Sequence, residues 1–201
     1  SVKSASEDTS TASSAASASS ASTSASASLQ TDTSLTIEDG DTVNIDYAAL
    51  KRLVGESVQV KEEIVEQDPF ERNIRKALNL GHTVGHAFES MALAENRPVL
   101  HGYAVAWGIV CELYLSHTKV GFPKEKMRQT IRFIKDNYGV FTFDCKKYEQ
   151  LYAFMTHDKK NTSGTINFTL LKDIGDICIN QTADKDTIFE MLDFYRECMG
   201  I

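Results

Sequence analysis

The chain has 201 residues and a formal net charge of −7, which argues against nucleic-acid binding driven by phosphate neutralisation, because that mode needs clustered cations. No apolar run approaches the roughly 20 residues of a membrane span, and the first residues carry no charged-then-apolar export pattern, so a cytoplasmic protein with neither a membrane nor a nucleic-acid partner is expected. Cys111, Cys145, Cys178 and Cys198 are widely scattered with no CxxC pair, which suits a reduced compartment better than a disulfide framework or a thiolate zinc site.

Every residue from Ser10 to Ser28 is Ser, Ala or Thr. Such a tract has almost no apolar surface to bury and cannot offset its ordering entropy. Residues 1–43 are therefore expected to be disordered low complexity, a flexible tail or linker, and residues 44–201 to form one domain. Ala49, Leu50, Leu53, Val54, Val58 and Ile64 keep an approximately helical spacing, with Asp46 as N-cap and Asp68–Pro69 as the stop. A second helix is predicted from Ile74 to Leu93. A third, from Gly102 to His117, is apolar nearly all round and reads as a buried central helix. Pro123 opens a helix with Met127, Ile131, Ile134 and Tyr138 as its stripe, and a short one follows near Tyr148 to Met155. Ile166, Phe168 and Leu170 alternate with polar residues, and Gly175–Asp176 separates them from Ile177–Ile179, which predicts a β-hairpin. A last helix runs from Asp184 to about Cys198. The fold class is mainly α, a multi-helix domain of roughly 150 residues with one small hairpin, large enough for a single core.

The most informative residues are in the run NLGHTVGHAFE. His82 and His86 are four apart, so on a helix both imidazoles project from one face. Gly85 between them is expected to leave backbone room for a ligand, and His101, in LHGYAVAWG, to supply a third imidazole. Pairs of histidines at this spacing are commonly ordinary surface or core residues. The metalloprotease pattern fails here, because the position after the first histidine is Thr83 and not Glu.

With those residues in place, the segments SVQVKEEIVEQDPFERNIRKALNLGHTVGHAFES, LHGYAVAWGIVCELYLS and HDKKNTSGTINFTLLKDIGD resemble the C-terminal domain of 3-dehydroquinate synthases, over essentially all of residues 44–201. Sister sugar-phosphate cyclases share the plan. The resemblance implies a carbon–oxygen lyase of the shikimate pathway and aromatic amino acid biosynthesis, which converts 3-deoxy-D-arabino-heptulosonate 7-phosphate, a sugar-acid phosphate, to 3-dehydroquinate and phosphate. It implies NAD as hydride acceptor and a Zn2+ or Co2+ ion as Lewis acid. By that resemblance His82 and His101 are metal ligands, and His86 assists proton transfer near the leaving phosphate. Lys61, Arg75, Asn79, Lys159 and Lys160 hold the substrate. Asp68 and Glu71 are expected to orient those cations, and Glu89, one turn beyond His86, is read as structural. Family members are commonly homodimers.

Nothing before Asn44 offers a βαβ pattern or a GxGxxG cluster for NAD, and the family's third metal ligand, a Glu, would fall near Ala21 in the Ser/Ala tract. The expectation is a fragment that lacks its NAD domain and is inactive alone. The alternatives are a sister cyclase, an iron-type alcohol dehydrogenase relative, or a non-catalytic helical interaction module.

Overall fold

The computed structural model describes residues 34–36, 42–44, 46–157 and 165–201. The predicted disordered tail lies outside the described residues, save two short strands, Ser34–Thr36 (β1) and Thr42–Asn44 (β2). These pair antiparallel with Leu35 opposite Val43. Two compact units divide the chain, Ser1–Lys51 and Arg52–Ile201, and the boundary falls inside the first helix.

That helix, α1, spans Tyr47–Gln67. The Asp46 carboxylate accepts the backbone N–H of Ala48 and of Ala49, each at 3.0 Å, meeting two donors that a helix start leaves without partners. Asp68 before Pro69 ends it. None of its residues is buried, and the predicted apolar stripe of Leu53, Val54 and Val58 is exposed.

The single helix expected over 74–93 is divided. Ile74–Asn79 is a 3-10 turn, Gly81 adopts the left-handed conformation (φ 79°), and only then does α2 run from His82 to Ala94. The break has two causes. The backbone N–H groups of Arg72, Asn73 and Arg75 turn back to the Asp68 carboxylate, and glycine tolerates positive φ without a Cβ clash. The third helix, α3 (His101–Leu115), continues into a π-helical turn, Ser116–Val120, which Gly121 closes at φ 86°. The remaining α-helices are α4 (Lys124–Tyr138), α5 (Tyr148–Thr156) and α6 (Lys185–Met199), the last capped by the Asp184 side chain on Thr187 N. Between α5 and α6 the predicted hairpin is present as Asn167–Asp173 (β3) and Asp176–Thr182 (β4), with Ile174–Gly175 as the turn.

Helices α2 and α3 carry the middle of the core, with Val84, Phe88, Met91, Ala104, Val110 and Cys111 all fully buried. Phe88 sits in an aromatic cluster with Phe141 and Tyr195, ring centroids 5.0 and 5.3 Å away. The Tyr195 hydroxyl accepts from Phe141 N at 3.1 Å and lies 3.2 Å from Phe141 O, so its polar end is satisfied inside the cluster. Burial pushes that phenol well above its ordinary range. No helix among the described residues is long and apolar enough to cross a membrane.

Candidate metal and substrate site

Glycine decides how closely α2 and α3 approach. A Cβ on Gly108 would lie 2.0 Å from the Gly81 carbonyl oxygen and 2.7 Å from Gly85 N, so any side chain there would collide with backbone. A Cβ on Gly85 would meet Ala104 O at 3.0 Å. The expectation that Gly85 leaves room for a ligand is therefore corrected: α3 backbone already fills that space. The glycine serves helix packing.

Gly81 cannot cap α2, having no side chain, and the acceptor comes from α3. Glu112 is wholly buried, and its carboxylate takes Gly81 N–H at 2.6 Å and Val84 N–H at 3.3 Å. A negative group at a helix N-terminus is favoured by the orphan donors and the helix dipole. Sequence reading missed Glu112. The available signal was a lone acid inside the apolar run VAWGIVCELYL, which demands a buried partner.

This crossing brings three imidazoles to one place. The ring centroids of His82 and His86 are 5.5 Å apart, those of His82 and His101 5.2 Å, and those of His86 and His101 5.8 Å. His82 Nδ1 lies 3.1 Å from Leu80 O. A carbonyl oxygen only accepts, so Nδ1 carries the proton and Nε2 keeps its lone pair. His101 Nδ1 lies 3.1 Å from Glu89 Oε2, which imposes the same tautomer. Donor atoms of His86, Glu89 and His101 fall within 4.8 Å of one another. Imidazole nitrogens with a carboxylate oxygen suit zinc or cobalt, and in both rings whose Nδ1 is tied Nε2 is the nitrogen whose lone pair could ligate a cation. The donor chemistry fits a divalent ion.

Of the predicted substrate residues, Arg75 and Asn79 lie in the 3-10 turn just before α2. Asn79 Nδ2 donates to Glu71 Oε1 at 2.5 Å, and Arg75 Nη1 to Pro69 O at 2.8 Å. Asp68 and Glu71, expected to orient cations, accept from the Arg72–Arg75 backbone and from the Asn79 amide, and the charge of Arg75 acts on the Asp68 carboxyl as well. Lys61 stands exposed on α1. Lys159 and Lys160 lie outside the described residues. Beside His82, Thr83 and Asn79 help to line a polar cavity of about 500 Å³ that also receives Lys76, whose Nζ donates to Asn180 Oδ1 at 2.7 Å. A larger groove, about 700 Å³, runs between α4 and α6 and contains none of these residues.

Residues 25–161 match the family model described as 3-dehydroquinate synthase C-terminal. The chain belongs to that family. The match begins inside the Ser/Ala/Thr tract and stops before β3. A 3-dehydroquinate synthase of Parabacteroides distasonis is 59% identical over 168 residues, covering 84% of this chain and 47% of that protein. One from Leptospira interrogans is 43% identical over 143 residues, 69% of this chain and 38% of that protein. The chain thus spans about half the length, or less, of these curated relatives. Its fold is similar to a solved 2-deoxy-scyllo-inosose synthase complexed with carbaglucose-6-phosphate, NAD+ and Co2+, with a TM-score of 0.59 at 20% identity, over 75% of this chain and 41% of that one.

Proposed function

We propose that this chain is the metal- and substrate-holding part of a phosphate-eliminating lyase of 3-dehydroquinate synthase type, acting on 3-deoxy-D-arabino-heptulosonate 7-phosphate in the shikimate pathway. The observation that carries the reading is the imidazole triangle at the α2–α3 crossing, with His82 and His101 both tied through Nδ1. His82 and His101 are the metal ligands through Nε2. A zinc or cobalt ion bound there would supply Lewis acidity toward a ring hydroxyl. His86, on the same face of α2 as His82, moves a proton near the leaving phosphate. Arg75, with its planar fork, and Asn79 take carboxylate or hydroxyl oxygens, and Lys61, Lys159 and Lys160 supply point charges for the substrate's anionic groups.

NAD does not fit the described residues. Their strands form two separate antiparallel pairs, with no parallel strand–turn–helix unit to hold a dinucleotide. No step is assigned to it in this chain. High identity to synthases over most of the chain favours the dehydroquinate reaction above that of a sister cyclase.

Cobalt titration of the purified chain, followed by visible absorption, tests the ligand set. His82→Ala and His101→Ala should each weaken binding by more than the roughly 10–100-fold that loss of an outer hydrogen bond costs, and His86→Ala should leave it near wild type. Equal loss in His86→Ala and His101→Ala, with none in His82→Ala, would replace this set by His86, Glu89 and His101.

A further inference from the structure

We infer that Glu89 is a positioning residue which sets the tautomer and aim of His101, and that its hydrogen bond, not its charge or direct coordination, is what the site uses. The inference rests on His101 being a metal ligand. Glu89 lies three residues beyond His86 and seven beyond His82 on α2, the spacing that keeps a side chain on one helix face. Its Oε2 is 3.1 Å from His101 Nδ1. His101 is the first residue of α3 and its side chain is 55% exposed, so neighbouring atoms do little to hold the ring. Glu89 is more enclosed, at 29%, and sits on a helix whose inner face is core.

His82 shows the same arrangement by another route. There the acceptor is the Leu80 backbone carbonyl, which fixes Nδ1 as the donor whatever side chain position 80 carries. For His101 the acceptor is a side chain, so the orientation of this ring hangs on one residue. A ligating histidine whose other ring nitrogen donates to a carboxylate keeps the metal-facing nitrogen deprotonated and more basic. Without Glu89, the ring loses the one side-chain acceptor it has among the described residues and gains access to the opposite tautomer and to other rotamers.

Two substitutions separate the possibilities. Glutamine keeps a carbonyl oxygen that accepts from Nδ1–H, and leucine keeps volume without an acceptor. In long-range nitrogen–proton NMR spectra of the metal-free full chain, His101 should be the Nδ1–H tautomer in wild type and in Glu89→Gln, and mixed or reversed in Glu89→Leu. Cobalt affinity should fall about 10–100-fold in Glu89→Leu, with most of the loss restored in Glu89→Gln, while the circular dichroism melt stays that of a folded helical chain. An unchanged tautomer in Glu89→Leu would overturn the inference. So would Glu89→Gln binding as poorly as Glu89→Leu, which would mean that the site uses the carboxylate's charge or its direct coordination of the ion. His101→Ala separates the underlying reading: if it binds cobalt as wild type does, His101 is no ligand, whereas the tautomer result still reports on Glu89 alone.

Discussion

Asp68 follows α1 directly, ahead of the 3-10 turn that leads to the site, and it is 8% exposed. Backbone N–H groups of Arg72, Asn73 and Arg75 hold its carboxyl below the usual carboxylate range, the Arg72 bond most strongly, against the opposing effect of burial. A carboxyl with a lowered folded pKa contributes stability that is full above its unfolded value of about 4. That contribution is lost as the pH falls through the folded value. Asp68→Asn should therefore unfold at lower denaturant concentration near neutral pH, and the gap from wild type should close on acidification below about pH 4. Unfolding midpoints across pH 2–7 check this, and a gap independent of pH would contradict it. Asp68–Pro69 was legible in the sequence as a helix stop. That the same carboxylate gathers the next turn was not, because it depends on where the chain goes after the proline.

At the scale of elements, the site is a consequence of two helices touching through glycine. Gly108→Ala would place a methyl 2.0 Å from the Gly81 carbonyl oxygen, and backbone cannot rotate away as a side chain can. The variant should be destabilised at or above the upper end of the roughly 1–3 kcal/mol typical of overpacking, and should lose cobalt binding as α2 and α3 separate. Gly102→Ala is the matched control: nothing lies within 4 Å of a Cβ there. It should be neutral or stabilising by about 0.4–1 kcal/mol, with cobalt affinity unchanged. Thermal melts of the two variants decide the matter, and equal effects would sink the close-contact account. Glu112 belongs to the same contact, since it carries the α2 N-terminus on a carboxylate from α3.

For the whole molecule, the relevant fact is that the chain spans about half of its relatives and that its described strands offer no dinucleotide fold. The purified chain should bind cobalt and yet form no dehydroquinate from heptulosonate phosphate with added NAD and metal. Product in a coupled dehydroquinase assay would show that the chain holds everything the reaction needs. Leu53, Val54 and Val58 are each more than half exposed on α1, a helix with no buried residue.

Periodicity, caps and breakers were enough for the helical class, the order of the elements and the hairpin, because each depends on neighbours within a few residues. The histidine pair was legible for the same reason: four residues is one turn. Where local signals compete, the sequence was insufficient. A continuous pattern from Ile74 to Leu93 conceals the break at Gly81, since helical spacing does not register a single left-handed residue held by a distant acid. Gly85 reads as backbone room for a ligand, and only the packed structure makes it, with Gly81 and Gly108, a contact surface. The pairing of Glu89 with His101 joins two helices across a loop, so nothing short of their crossing could reveal it. Local chemistry chose the parts, and the distance between α2 and α3, a property of the packed chain alone, made them one site.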